Sequence, residues 1–359
     1  MSRIPRCHVT TSSRQSNPFM NPLVSVIIPT RNRHDLLREA VASVACQSHE
    51  AIELIVVDDG SEAPVEAAAR EAWSQQRPIN TLKVLRLNAG NGNIARNAGV
   101  DHARGGFIQF LDSDDLIAPE KIDHQLRQLE VNPSLDFVYS HERFFTKNPG
   151  DMPVLWNCDW YDSPFDSLDR FLAGEPVWQT GGPLWRRRVF DKGLRWNGDL
   201  RSWQDWEFHT RTLLNGFRGS RTPAEFYHIR QHDGIRTFSA ESRYQRKRNE
   251  VVAGSSILAI LNDNSETPDR NYHHFECYLR KRLDELNGDY SEDAIGLRRE
   301  FLSQLSAASR SAKLTAFARV LAKFAATPFF ERLFASYKAM VPMPLCHMST
   351  WMKISYPPA

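Results

Sequence analysis

Val24-Ser25-Val26-Ile27-Ile28-Pro29-Thr30-Arg31-Asn32-Arg33 is the stretch on which the reading of the fold turns. Four of its first five residues are Val or Ile, a near-continuous apolar run of the kind found in strands covered on both faces. Leu36, Leu37, Ala40, Val41 and Val44 follow at helical spacing and make one apolar stripe. Ile52 to Val57 then repeats the strand pattern. Working outward, Leu82 to Leu87, Phe107 to Leu111 and Phe137 to Tyr139 read as further strands. Helices are expected over Pro64–Trp73, over Asn93–Ala103 and from Pro119, a first-turn proline, through Leu129. Strands alternating with helices predict βαβ units and an α/β, doubly wound, Rossmann-like sheet, parallel or mixed.

Periodicity weakens from Lys147 to Pro164, which reads as loops. A helix from Trp203 to Leu214 is closed by Asn215-Gly216, a strand precedes Tyr227, and beyond Phe238 the pattern is helical only. The expected organisation is therefore a flexible tail over 1–21, an α/β domain over 22–240 and a mostly helical C-terminal region over 241–359. Of the 359 residues, 41% are apolar and 25% charged, as in a folded protein. A net charge of +2 supplies no basic field for nucleic acid. Five widely spaced cysteines without a CxxC pair argue against a disulfide framework or a zinc site and suit a reducing compartment. The first ~20 residues lack the apolar core of a signal peptide, and no apolar run reaches the ~18 to 20 residues of a membrane span. The expected location is cytoplasmic, or peripheral on the inner face of a membrane.

Chemistry concentrates at strand ends. Phe110-Leu111-Asp112-Ser113-Asp114-Asp115 crowds three carboxylates where a buried strand stops. Like charges at that density repel unless a cation neutralises them, and hard oxygen ligands suit Mg²⁺ or Mn²⁺. A helix cap and solvated turn is the plainer reading. Val57-Asp58-Asp59-Gly60-Ser61 puts two more carboxylates at the end of the second strand, for a base or ribose contact or merely a tight turn. Pro29 to Arg33 leads from the first strand into a helix N-terminus, a place that favours phosphate. Asn88 through Gly99 carries glycines that allow close backbone approach and Arg96, able to bridge acids or phosphates. It is neither a GxGxxG dinucleotide loop nor a Walker loop.

In their order along the chain, these four stretches resemble the inverting glycosyltransferase family 2, which has the GT-A fold; the resemblance covers roughly residues 22–235. It implies that Pro29, Thr30 and Arg31 line the nucleoside pocket and that Asp59 contacts the base, usually uracil, which makes a UDP-sugar the expected donor. Family members often carry Tyr where this chain has Arg31, so the nucleoside preference rests on a guanidinium in place of a ring. Asn88, Arg96 and Ser113 join the implied nucleotide-sugar site. Asp112 and Asp114 look like the DxD motif that holds Mn²⁺ or Mg²⁺ on the donor diphosphate, with Asp115 as a further ligand or a turn cap. The family's base is usually the Asp of a Glu-Asp pair; here Trp203-Gln204-Asp205-Trp206-Glu207 departs at Gln204, and Asp205 takes the role of base or else caps the helix. Glu207 is the fallback, though two residues along a helix it points elsewhere. Gln179-Thr180-Gly181-Gly182 resembles the acceptor-side segment: Gly181 and Gly182 would admit the sugar to the backbone, and Trp178, Trp203 or Trp206 would offer flat faces or else lie in the core. His232 stands where the family often has a histidine near the diphosphate and metal, with a surface histidine as the alternative.

Expected partners are thus the nucleotide sugar and a glycan or lipid-linked hydroxyl. Leu314, Phe317, Leu321 and Phe324 or Ala325 form a stripe on a basic helix, suited to an anionic membrane surface, to the catalytic domain or to a second protomer. A nucleotidyltransferase is the rival enzyme, but Pro29 to Arg33 lacks the basic, Gly-rich loop that chemistry needs. A degenerate sugar-binding protein is the non-enzymatic rival, favoured by Gln204 and Arg31.

Overall fold

The computed structural model describes residues 21–156, 167–231, 242–263, 267–310 and 312–340. β1 (Val24–Thr30) and β2 (Ile52–Asp59) are buried along their whole length, as their apolar runs require. Alternate side chains divide between two cores. Val26, Ile28, Leu54 and Val56 join Leu37, Val41 and Val44 of α1 (His34–Ala45) and Ala69 and Trp73 of α2 (Glu66–Ser74). Ile27, Ile55 and Val57 join the opposite core with Ala95 and Val100 of α3 (Gly92–His102). α3 lies so close to β1 that a Cβ on Gly99 would run into Ile27.

β3 (Leu82–Leu87) is the half-exposed edge of one eight-stranded sheet. After α3 come β4 (Phe107–Phe110), β5 (Leu116–Ile117), α4 (Lys121–Val131), β6 (Phe137–Phe145), α5 (Ser167–Leu172), β7 (Leu184–Arg186), α6 (Arg188–Asp191), α7 (Gln204–Leu214) and β8 (Gly219–Arg230). The strand order is β3-β2-β1-β4-β7-β6-β8-β5. β3, β2, β1 and β4 run parallel, β7 is antiparallel to both β4 and β6, β8 is parallel to β6, and β5 is antiparallel to β8. The sheet is thus mixed. β5 and β7, of 2 and 3 residues, are too short to leave a periodic signal.

Beyond the sheet the described residues are helical: α8 (Arg243–Asp263), α9 (Asp269–Asp284), α10 (Glu292–Ala308), α11 (Ala312–Lys323) and α12 (Phe329–Met340). Their core is continuous with one face of the sheet domain: Trp206 of α7 lies on Tyr278 of α9 at 4.7 Å between ring centroids, in one apolar cluster with Ile257, Phe301 and Leu305. The apolar stripe read as a membrane or docking face is largely internal. Ala318, Leu321 and Ala325 are fully buried, Phe317 packs against the same cluster, and α11 lies on α10. Among the described residues, no helix is long and apolar enough to cross a membrane. One expectation about the cysteines needs correcting: Cys46 is in a disulfide, whereas Cys277 is buried in the helical region.

Candidate active site

The acidic turn lies between β4 and β5, and its three carboxylates have different partners. Asp115 is turned inward. It accepts hydrogen bonds from the Tyr227 hydroxyl at 2.6 Å and the Arg230 N–H at 2.8 Å, both on β8. Burial pushes its pKa well up, and Asp114 and Asp112 act in the same direction. Its task is to clip β8 to the turn, so the reading of Asp115 as a third ligand is withdrawn. Ser113 is buried beside it. Asp112 and Asp114 are the partly exposed members, at 34% and 17%. Arg96 binds Asp112 at 2.7 Å and Arg33 binds Asp114 at 2.7 Å.

Arg96 sits on buried α3 with its guanidinium over the Trp196 ring, 5.0 Å from its centroid. Burial alone would weaken its charge, but Asp112 and Asp205 more than offset that and hold it protonated. Arg96 is therefore paired with Asp112 and under the electrostatic influence of Asp205.

Asp205 enters from the first turn of α7. The Thr180 hydroxyl donates to its Oδ1. Burial raises its pKa, Arg96 opposes that, Asp112 adds to it, and the Thr180 bond opposes it again. Its predecessors are unusual: Trp203 has a left-handed backbone, φ 65°, which a bulky residue rarely adopts, and the Gln204 Oε1 is buried without a hydrogen-bond partner. Glu207 faces away, paired with Arg211 at 2.7 Å and accepting from Ser256 at 2.8 Å, so it offers no alternative base. The loop ahead of α7 is tied to α3 by three asparagines that motif reading passed over. Asn91 donates to the Gly198 carbonyl, Asn93 to those of Asn197 and Leu200, and Asn97 to that of Trp196, at 2.7–2.9 Å.

At the expected nucleotide side, Thr30 ends β1 with a buried Oγ1 that has no hydrogen-bond partner. Pro29 precedes it in the buried strand. Arg31 is exposed, and its guanidinium lies against Gly90. Asn32 adopts φ 55° and joins the turns after β1 and β2, accepting from Glu62 N–H at 2.8 Å and donating its own N–H to Ser61 Oγ at 2.9 Å. Asp59 accepts three backbone N–H groups, from Ala89, Gly90 and Asn91, at 2.5–2.9 Å. With roughly four lone-pair sites on a carboxylate, one is left for a base. Asp59 thus braces the Asn88–Asn91 loop first, with exposed Asn88 beside Gly60 at its rim.

The acceptor-side expectations fare unevenly. Trp203 remains half-buried near Asp205. Trp206 and Trp178 are core residues at 1% exposure, and the Trp206 ring N–H bonds the Phe171 carbonyl, so neither offers a face to sugar. Gly181 and Gly182 are tightly packed: a Cβ at either would strike the Tyr227 ring or the Glu142 carboxylate, and both carbonyls accept internal hydrogen bonds. His232 lies outside the described residues, while His228 is half-buried, with burial lowering its pKa to about 4.

Comparison with known proteins agrees with this geometry. Residues 25–194 match the profile of glycosyl transferase family 2. The uncharacterized glycosyltransferase YwdF of Bacillus subtilis is 29% identical over 204 residues, which cover 56% of this chain and 71% of YwdF. An uncharacterized glycosyltransferase of Rickettsia conorii is 35% identical over 125 residues; the match takes in 35% of this chain but only 20% of that longer protein. Among solved structures, S. aureus TarS 1–349 in complex with UDP-GlcNAc superposes with a TM-score of 0.66, covering 89% of this chain and 92% of that one; at 20% identity the likeness is one of fold. Sheet order, strand-end turns and sequence profile converge: residues 25–194 carry a domain matching glycosyl transferase family 2, and the chain has the GT-A fold.

Proposed function

We propose that this protein transfers a sugar from a UDP-sugar to a hydroxyl acceptor with inversion at the anomeric carbon, in the synthesis of a polysaccharide or glycoconjugate. The observation that carries the reading is the grouping of Asp112, Arg96 and Asp205: one cation is bonded to a donor-side carboxylate and is held protonated also by the charge of a buried carboxylate from another part of the chain. Inversion needs a base on the face opposite the leaving group, and a single displacement needs no second carboxylate as nucleophile. Asp205 is the base that takes the acceptor proton. Burial raises its proton affinity towards what that task requires. The orphan Thr30 hydroxyl, Arg31 against Gly90, and the remaining acceptor site on Asp59 support a nucleoside seat at the ends of β1 and β2. Trp203 is the apolar face left for the acceptor.

Among the described residues, no group of three or more His, Cys, Asp and Glu side chains could hold a metal by itself. The partly exposed pair Asp112 and Asp114 still suits Mg²⁺ or Mn²⁺, which commonly bind one or two carboxylates and complete their shell with phosphate oxygens and water. Asp112 and Asp114 would hold the ion, with His232 as a further donor, and when bound it would stabilise the charge on the departing diphosphate. Arg96 and Arg33, already on these carboxylates, fix their orientation.

The test is a thermal-shift panel of UDP-, GDP-, CMP- and dTDP-sugars with and without Mn²⁺, followed by product analysis. The expected outcome is a UDP-sugar shift that grows with Mn²⁺ and release of UDP. Release of pyrophosphate would identify a nucleotidyltransferase, and binding without turnover a degenerate sugar-binding protein; either result ends the proposal.

A further inference from the structure

Behind the site lies a buried polar cluster that the reaction outlined above does not use. The fully buried Lys121 amine donates to Gln109 Oε1 and Gln125 Oε1, both at 2.6 Å, and to the Gly182 carbonyl at 2.9 Å. Both glutamine amides are fixed in orientation by their own donations: Gln109 Nε2 to the Gly181 carbonyl at 2.7 Å, and Gln125 Nε2 to the Gly182 carbonyl at 3.0 Å. Three N–H bonds meeting three oxygens match an ammonium; a neutral amine has only two to give. Burial pulls the lysine towards neutrality and Glu142 opposes that, and the saturated donor set shows which form the cluster is built for.

The cluster converges on four consecutive residues. Glu142, also buried, accepts the Gln179 N–H at 2.8 Å, and Gly182 N–H closes the turn on the Gln179 carbonyl at 3.2 Å. Gly181 and Gly182 are seated flush against the Tyr227 ring and Glu142, where no Cβ fits. Between these fixed points stands Thr180, 1% exposed, whose hydroxyl reaches Asp205 Oδ1. Tyr227, on the other side of the turn, holds Asp115 at the end of the acidic turn, so one rigid segment touches both halves of the site. A buried ammonium is expensive to maintain, and three oxygens meeting its three N–H groups give a defined geometry in return.

We propose that Thr180 is the positioning residue of Asp205, and that the Lys121 cluster serves to hold the 179–182 turn so that the hydroxyl meets Oδ1 and leaves Oδ2 to face the acceptor. The proposal rests on the reading of Asp205 as the base.

The experiment compares Thr180→Val, Thr180→Ser and Asp205→Asn. It follows UDP release from whichever UDP-sugar gives the largest thermal shift, with Mn²⁺ and with water as acceptor, alongside crystal structures of the two Thr180 variants. A hydrogen bond to a charged group is worth roughly a 10- to 100-fold change. Thr180→Val should lower kcat by about that factor with the donor KM within about twofold, Thr180→Ser should restore it, and the Asp205 carboxylate should be displaced only in the valine variant. Should Thr180→Val not fold, Gln109→Met, which releases the Gly181 carbonyl, should show the same kcat-only loss at roughly threefold. An inactive Asp205→Asn beside a fully active Thr180→Val, or an unmoved Asp205 carboxylate in the valine crystal, overturns the positioning role and leaves the base intact. A fully active Asp205→Asn instead removes the base reading itself.

Discussion

The two halves of the sheet meet at the β4–β7 pair, and they build the site differently. In the parallel half, β1, β2 and β4 each end in a turn whose polar residues serve the site where they stand, and the helix after β1 or β3 follows at once. Asp59 braces a loop only 30–32 residues away and Arg96 holds Asp112 across 16. In the half built from β7, β6, β8 and β5, no local motif makes the site. Tyr227 reaches Asp115 across 112 residues, and Arg230 reaches Glu39 across 191. The first half orders its polar turns through local βα geometry; the second reaches them through side chains far apart in sequence.

The sharpest way to break this comparison is at Asp205. Asp205→Asn should lower kcat by about 10³-fold, within the usual range for removal of a general base, while calorimetric affinity for UDP with Mn²⁺ stays within about twofold. A variant that lost donor affinity and kept its turnover would put Asp205 on the donor side and erase the division between the halves.

The complementary change falls in the parallel half. Asp112→Asn should weaken Mn²⁺-dependent UDP binding by roughly 10- to 100-fold, and EDTA should impose the same loss on the unaltered protein. Equal affinity with and without the carboxylate would show that Arg96 pairing is its whole purpose.

A smaller effect tests the packing behind α7. His209, one turn after Asp205, is fully buried among Trp185, Trp196 and Phe208, with neither ring nitrogen hydrogen-bonded. Burial, with Arg96 adding to it, lowers its pKa to about 3. The unfolded chain takes up this proton near pH 6.5 and the folded one does not, so the stability is complete above about pH 6.5 and declines as pH falls towards 3. Between pH 7 and 5 the loss should be about 1–2 kcal/mol relative to His209→Phe, read from urea unfolding. Parallel pH profiles for the two proteins would place the ring in water.

Much of the donor side was legible because its signals are short-range. A Val- and Ile-rich run that stops at Asp or Asn, followed by a helix, names both strand and site within ten residues, as at Val57-Asp58-Asp59 and Phe110-Leu111-Asp112. Asp205 also stood out, at a helix start beside a departure from the family pattern. Direction was harder to read than position. Asp115 is indistinguishable from Asp114 in sequence, and only β8 crossing the turn draws it inward. Trp203 and Trp206 look alike as sugar platforms until the helical region covers the second with Tyr278. The helix at Ala312–Lys323 has the stripe of a surface-binding helix, and α10 is what occupies it.

The sequence by itself determined the alternating α/β architecture of the sheet, the acidic strand ends and the residue types available for donor, ion and base, because hydrophobic period and turn chemistry act over a few residues. The tertiary structure alone decided which carboxylates face the site, which tryptophans are core, and how Lys121, Glu142 and Thr180 converge on Asp205. These depend on strand order and helix packing, and a buried group's charge and direction are set by neighbours that the chain supplies from 25 to 112 residues away.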